Sequence, residues 1–222
     1  MVIYHHYKLT EGEFMKKTIE IFIGGSTDKN MSESYKLTAI ELGKIINERK
    51  DYSIIFDGCF GLPFLVFNEL DYTSRAVIYK TRYYGNDYIF KSSALLREFR
   101  YQSDFIRAIP ENADAMIFMK GGTSTITELM YAIETKKNKE HDKPIVVLNI
   151  NNEWKDLVNL LDNLNLENVF YVTDNIIDSL NYIETELFKK ESSYNQHFLQ
   201  FMERKTPIID ESHSRILNRK SC

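Results

Sequence analysis

The stretch "AMIFMKGGTSTITELMYAI", residues 115–133, carries the pattern that decides the fold. An apolar run comes first, two glycines follow, and a segment rich in Ser and Thr leads to an acid, Glu128. This order predicts a buried strand that turns into a helix. Gly121 and Gly122 leave room for a ligand at the turn, and the N–H groups that open the helix would face an anion.

The same alternation runs through most of the chain. Near-continuous apolar strands separated by helical patterns predict an α/β fold of the Rossmann-like, doubly wound type, with a parallel sheet as the middle of three layers, α/β/α. Any ligand is then expected at the carboxyl ends of the strands. The predicted strands cover residues 18–25, 52–58, 75–81, 114–120, 143–150 and 168–173, and the predicted helices cover residues 32–49, 91–109, 125–137, 151–164 and 174–190.

Length and composition favour a single domain. The 222 residues fall within the usual size of one domain, roughly 50 to 250 residues. We predict an N-terminal arm over residues 1–17, the α/β domain over 18–190, and a C-terminal tail or extra helix over 191–222. The last segment is either an extra helix that packs on the core or on a partner, or a loose end. The net charge of −4 does not favour nucleic acid.

Neither a membrane nor an oxidising compartment is indicated by the sequence. No apolar run approaches the roughly 20 residues that cross a bilayer. Two cysteines, Cys59 and Cys222, cannot form a disulfide framework, and no leader segment opens the chain, so we expect a cytoplasmic protein. None of the histidines has the spacing of a metal site, and we predict none.

Three loops containing glycine follow predicted strands, at residues 24–30, 57–63 and 120–125. Because the carboxyl ends of parallel strands lie on one edge of the sheet, these loops can converge on a nucleotide or sugar phosphate. None of them has the dinucleotide fingerprint or the P-loop pattern. The alternative is that the glycines only shape tight turns.

Several side chains near these loops have two interpretations each. Thr125 and Glu128 form a T-x-x-E capping box, or Glu128 reaches the pocket as acid, base or stabiliser of positive charge. Lys120 either binds phosphate or only keeps the end of a strand exposed to solvent. Cys59 is a small apolar filler rather than a nucleophile. Three arginines lie on the predicted helix before residue 114, where Arg97 and Arg100 would share a face and any one could approach a phosphate or base: Arg97, Arg100 and Arg107.

Taken together, the segments from about residue 19 to 188 resemble the LOG ("Lonely Guy") family, nucleoside 5′-monophosphate phosphoribohydrolases once mislabelled as lysine decarboxylases. The likeness rests on motifs that occur in the family's order. They are "IFIGGSTDKN", "AIELGKIINER", "FDGCFGLPF" and, most specifically, "KGGTSTITE", which corresponds to the family's P-G-G-x-G-T-x-x-E.

The resemblance implies hydrolysis of the N-glycosidic bond of a purine nucleoside 5′-monophosphate, AMP-like or modified, to free base and ribose 5-phosphate. It also implies a homodimer and a reaction without metal or cofactor. Glu128 matches the catalytic glutamate. The predicted phosphate and nucleotide site comprises Gly25, Ser26, Gly58, Lys120, Gly121, Gly122, Thr123, Ser124 and Thr125.

The sequence departs from the family pattern at several positions. Lys120 replaces the motif proline, Ser124 replaces its third glycine, and Asp57 and Phe64 stand where glycines are usual. The family's catalytic arginine falls on Phe105, so Arg100 or Arg107 would have to take its role. These departures leave a second interpretation open, a sensor module that binds a nucleotide without cleaving it.

Overall fold

Seven strands form one parallel sheet in a computed structural model, which describes residues 18–28, 30–82, 94–166 and 168–189. The strand order is β4-β3-β2-β1-β5-β6-β7, and every neighbouring pair is parallel. The strands are β1 (Ile19–Gly24), β2 (Tyr52–Phe56), β3 (Ala76–Thr81), β4 (Leu95–Phe99), β5 (Ala115–Met119), β6 (Ile145–Leu148) and β7 (Tyr171–Thr173).

Within the described residues, six helices connect or follow these strands. They are α1 (Glu33–Glu48), α2 (Leu62–Asn68), α3 (Gln102–Asn112), α4 (Thr123–Lys137), α5 (Lys155–Asn163) and α6 (residues 176–189), with short 3-10 turns at Thr73–Arg75 and Ile150–Asn152. In the part of the chain that the structure describes, no helix is both long and apolar enough to span a membrane.

The sheet is covered on both faces because its central strands are apolar on both sides. Side chains of α3, α4 and α5 pack against one face, in a cluster that includes Phe22 and Phe118. Helices α1 and α2 lie on the other face, where the rings of Phe56 and Phe67 are 4.9 Å apart. This three-layer α/β arrangement confirms the predicted fold class.

The predicted helix over residues 91–109 is wrong over residues 95–99, and residues 91–93 lie outside the described residues. Residues 95–99 form the edge strand β4, which pairs with β3, and the helix begins only at Gln102. Arg97 is therefore on a strand and does not share a helix face with Arg100. The prediction failed because β4 lies at the edge of the sheet. Leu95 and Leu96 are exposed there, so the strand has no alternation of buried apolar and exposed polar residues.

Contacts divide the chain into two compact units, residues 1–183 and 184–222. The packing and the site described here belong to the first unit. Of the second, the structure describes only residues 184–189, which are helical. The predicted arm over residues 1–17 and tail over 191–222 lie outside the described residues, so the proposed domain division stays a prediction.

Candidate active site

The three glycine-containing loops meet at the carboxyl edge of the sheet. The Ser26 N–H, after β1, donates to the Lys120 carbonyl oxygen, after β5, over 3.1 Å. The Leu62 N–H, at the start of α2, donates to the Ser26 carbonyl oxygen over 2.9 Å. The strand order β2-β1-β5 makes the three loops neighbours, which confirms the predicted convergence.

Glycine is required at one of these contacts. Gly61 has φ of +147°, a conformation that other residues rarely adopt, and a Cβ there would collide with the Ser26 carbonyl oxygen. The turn before α2 can therefore lie directly against the β1 loop.

A cavity of about 960 Å³ opens where the loops meet. Most of the residues predicted for the site line it, whereas Gly58, Arg100 and Arg107 are not among the residues that do so. The predicted residues that line the cavity are Gly25, Ser26, Lys120, Gly121, Gly122, Thr123, Ser124, Thr125 and Glu128.

The amino end of α4 faces the cavity with free donors. Gly122 is the N-cap, and the first backbone hydrogen bond of the helix runs from the Ile126 N–H to the Gly122 carbonyl oxygen over 3.0 Å. The N–H groups of Thr123, Ser124 and Thr125 have no acceptor among the described residues. Free N–H groups and the positive end of the helix dipole together favour an anion such as phosphate.

The predicted capping box is wrong. The helix α4 begins at Thr123, two residues before the predicted N-cap, and no side chain caps it. Thr125 and Glu128 instead lie inside the helix, with exposed fractions of 4% and 6%. The Glu128 carboxyl has no hydrogen-bond partner within the ranges that the structure covers, and burial raises its pKa well above the ordinary value. A buried, unpartnered acid beside a cavity is typical of a functional group rather than a cap.

Asp57 is a second, half-buried acid in this cavity, and the sequence analysis did not propose it as a functional residue. It follows β2, lines the cavity, and accepts a hydrogen bond from the Cys59 N–H over 3.0 Å. Protein atoms surround it closely, although part of its surface stays open to the cavity. Burial raises the pKa of Asp57, and the hydrogen bonds from Cys59 oppose that rise. The sequence did contain one signal for a functional role of Asp57, namely an acid at a position where the LOG pattern has glycine.

Lys120 is held at the rim of the cavity by a polar network that the sequence did not reveal. Its Nζ lies 3.3 Å from Glu153 Oε2, and Glu153 Oε1 accepts a hydrogen bond of 2.9 Å from the Ser34 hydroxyl. The Ser32 and Ser34 hydroxyls are 3.0 Å apart. Hydrogen bonding, from Ser32 first, lowers the pKa of Glu153. Lys120 is thus a cation at the cavity, already paired with one carboxylate.

The predicted arginines lie away from the cavity lining. Arg107 is 62% exposed in its side chain and pairs with Glu111 at 3.5 Å, one turn along α3. The Arg100 guanidinium stacks on the ring of Tyr101, with its carbon 5.1 Å from the ring centroid. Nothing in the structure tests a catalytic role for either arginine, and that role stays a prediction.

A metal site has no support from the described residues. Within residues 18–28, 30–82, 94–166 and 168–189, no group of three or more His, Cys, Asp or Glu side chains is placed to hold a metal ion.

Comparison with known proteins relates this site to a family. A family model described as "Possible lysine decarboxylase" matches residues 99–187. Cytokinin riboside 5′-monophosphate phosphoribohydrolase LOG7 of Arabidopsis thaliana is 30% identical over 152 residues, which cover 66% of this chain and 67% of that relative. The chain belongs to the LOG family. A second LOG relative from the same plant, LOG3, is 28% identical over 167 residues, which cover 68% of this chain and 73% of the relative.

Solved structures similar to this LOG-family chain share its fold at low identity. The molybdenum cofactor binding protein of Rippkaea orientalis matches with a TM-score of 0.60 and 12% identity, over 77% of this chain and 98% of that one. The Moco carrier protein of Chlamydomonas reinhardtii matches with a TM-score of 0.56 and 16% identity, over 78% and 99%. At such identities the likeness concerns the fold alone.

The departure at Phe105 from the LOG pattern has a clear structural setting. Phe105 is 2% exposed, lines the cavity, and packs its ring 6.0 Å from Tyr79 and 6.1 Å from Phe99. An arginine in this aromatic cluster would need a carboxylate partner to offset its desolvation. In this LOG-family chain the position therefore reaches the cavity but brings an apolar surface to it.

Proposed function

We propose that this LOG-family chain hydrolyses the N-glycosidic bond of a purine nucleoside 5′-monophosphate, AMP-like or modified, and releases free base and ribose 5-phosphate. The observation that carries the proposal is the pairing, in one cavity, of free N–H groups at the start of α4 with the buried acid Glu128 one turn later. The named phosphoribohydrolase activity of the relatives supports it.

The binding step follows from the α4 terminus. A 5′-phosphate at the N–H groups of residues 123–125 gains hydrogen bonds and the favourable helix dipole, and the Lys120 ammonium adds a positive charge at the rim. Anchoring the phosphate fixes the ribose and removes much of the entropic cost of orienting the reacting bond. The apolar ring of Phe105 offers a surface for the base.

The chemical step requires stabilisation of charge on both the ribose and the base. As the bond from C1′ to the base nitrogen breaks, positive charge develops on the ribose and negative charge on the base. A carboxyl group beside this bond stabilises the ribose when ionised, or donates a proton to the base when protonated. We assign Glu128 to this position.

Release of base from a panel of nucleotides tests the proposal. Purified protein is incubated with AMP, GMP, IMP, CMP and UMP, and free base is measured by chromatography. We expect release from at least one purine nucleotide, and a loss of about 10²-fold or more in Glu128→Gln. Glu134→Gln removes a charge from the same helix at an exposed position and serves as the matched control. If wild-type protein and Glu128→Gln are equally inert towards every nucleotide, the proposal is refuted.

A second candidate function is binding without cleavage. It is favoured by Phe105, because the position where the family has a catalytic arginine presents an apolar ring to the cavity. The fold does not choose between the two functions, since one fold hosts many of them. Equilibrium dialysis with each nucleotide, followed by recovery of the bound ligand, separates them: an intact ligand supports a sensor, and recovery of free base excludes it.

The family resemblance motivates a homodimer, and the presence of only two cysteines motivates a cytoplasmic location; we retain both as proposals. Sedimentation equilibrium of the full chain tests the first, with a monomer at all concentrations as the contrary result. Fractionation of cells that express the chain tests the second.

A further inference from the structure

Two acids line the same cavity from different parts of the fold. Asp57 follows β2 and Glu128 lies on α4, after β5, and both side chains line the cavity. The LOG pattern has glycine at the position of Asp57, so the second acid is a property of this chain.

Their surroundings differ in the groups that can stabilise a negative charge. Asp57 accepts the Cys59 N–H over 3.0 Å and keeps some surface open to the cavity. Glu128 is 6% exposed and has no hydrogen-bond donor among the described residues. Hydrogen bonds and hydration favour the ionised carboxylate, whereas desolvation favours the protonated acid. The environment of Asp57 therefore favours the ionised carboxylate, and the environment of Glu128 favours the protonated acid.

Repulsion between the two negative charges disfavours ionisation of both acids at once. Burial contributes most to the raised pKa of Glu128, and the negative charge of Asp57 raises it further. The other ionisable groups that line the cavity are Asp28, Tyr35, Cys59, Tyr79, Lys120 and Glu153. The Lys120 ammonium is paired with Glu153 and so partly neutralised. Because the repulsion is mutual, it is the hydrogen bond from the Cys59 N–H that favours the charge on Asp57, and we expect Asp57 to lose its proton before Glu128 does.

We propose that Asp57 and Glu128 form an acid–base pair across this cavity, in which Glu128 is the proton donor and Asp57 the proton acceptor. The assignment rests on the proposed function for its catalytic part. It adds Asp57 to the site and makes Glu128 the proton donor.

The proposed step is balanced in atoms and charge. As the bond from C1′ to the base nitrogen breaks, its electron pair goes to the base, and the Glu128 hydroxyl proton goes to a ring nitrogen of the base. A water oxygen forms the new bond to C1′, and its proton goes to the Asp57 carboxylate. The products are free base and ribose 5-phosphate. Transfer of the proton from Asp57 to Glu128 restores the starting state.

Removal of one charge tests the catalytic part. In Asp57→Asn we expect the rate of base release to fall by about 10²-fold or more. The loss of activity at high pH, where Glu128 gives up its proton, should move to lower pH because the neighbouring negative charge is gone. Asp156→Asn, an exposed charge on α5 outside the cavity lining, should change neither the rate nor the pH profile. An active wild-type protein whose rate and pH profile survive Asp57→Asn would overturn the pair and leave the proposed function standing.

A direct titration tests the proton distribution and needs no turnover. Carboxyl carbon NMR of the wild-type chain follows both acids from pH 3 to 9, with the Glu128 and Asp57 resonances assigned by their absence in Glu128→Gln and Asp57→Asn. We expect Asp57 to titrate first and Glu128 at a clearly higher pH; the reverse order would overturn the proposal. If no nucleotide is cleaved by wild-type protein, the proposed function fails by itself, and this titration still decides the charge state of the pair.

Discussion

Gly121 and Gly122 are adjacent in the sequence but should respond oppositely to alanine. A Cβ on Gly121 would lie 2.6 Å from Thr125 Cβ and closer still to its hydroxyl oxygen. Thr125 is only 4% exposed, so the threonine cannot move aside without displacing the core around it. A Cβ on Gly122 would meet nothing within 4 Å, because that position faces open space.

The sizes of the two effects follow from these contacts. Forcing a methyl group into a filled site costs about 1–3 kcal/mol, so Gly121→Ala should lower Tm by roughly 2–12 °C in a domain of this size. At Gly122, with φ of −86°, alanine is sterically allowed. The loss of glycine at the N-cap and the gain in backbone rigidity are each about 0.5–1 kcal/mol and offset one another. The Gly122→Ala methyl instead occupies space beside the free N–H groups.

Thermal denaturation and phosphate titration measure the two effects separately. Gly121→Ala should melt early, and Gly121→Ala combined with Thr125→Ala should recover part of the loss, since that change removes the hydroxyl and methyl that clash. Gly122→Ala should melt within about 2 °C of wild type but bind ribose 5-phosphate more weakly in calorimetry. The reasoning fails if Gly121→Ala keeps the wild-type Tm, or if Gly122→Ala binds ribose 5-phosphate as wild type does.

Two further predictions concern stability. Arg75 donates four hydrogen bonds to backbone carbonyls, those of Ile46 and Arg49 at 2.6 Å each, Asn47 at 3.1 Å and Tyr52 at 2.8 Å, so Arg75→Met should cost about 2–4 kcal/mol in urea unfolding. Arg107 is exposed, so Arg107→Met should lower the free energy of unfolding by less than ~1 kcal/mol. Equal losses of stability in Arg75→Met and Arg107→Met would contradict this account. Because the pKa of Glu128 is raised in the folded state, its stabilising contribution is complete below the unfolded value of 4.5 and is lost as pH rises through the folded pKa. Glu128→Gln should therefore melt above wild type at pH 7, and its Tm should fall less between pH 4 and 7; equal pH profiles would argue against a buried acid.

The sequence was sufficient for six of the seven strands because they are apolar and separated by clear turns. Periodicity failed at β4, since an edge strand is defined by the neighbour it pairs with and not by a buried face of its own. Strands β3 and β4 pair Val77 with Leu95 and Thr81 with Phe99, and no local sequence pattern predicts this pairing. For the same reason the predicted helix over residues 91–109 started too early, whereas α3 runs from Gln102 to Asn112.

The candidate site was predictable where it depended on single loops. Glycines after strands marked the convergence, and the hydroxyl-rich turn marked the amino end of α4. The capping box failed because helix α4 begins two residues before Thr125 and buries the acid. The relation of Asp57 to Glu128 depends on the order β2-β1-β5, and the Lys120–Glu153 contact depends on a residue beyond β6, so both required the topology.

The charges around the cavity connect the two departures from the LOG pattern. The acids that line it are Asp28, Asp57, Glu128 and Glu153, against one ammonium at Lys120. With all four ionised, a phosphate dianion would enter a negative site, which the helix dipole of about half a charge could not offset. A proton held on Glu128 reduces that repulsion, and by linkage a bound phosphate holds that proton more firmly. Where the LOG pattern has its catalytic arginine, this chain has Phe105, which lines the cavity without a charge. In the proposed reaction, a proton that the charge of Asp57 keeps on Glu128 assists the departing base instead, so that the loss of the arginine and the gain of the second acid act together.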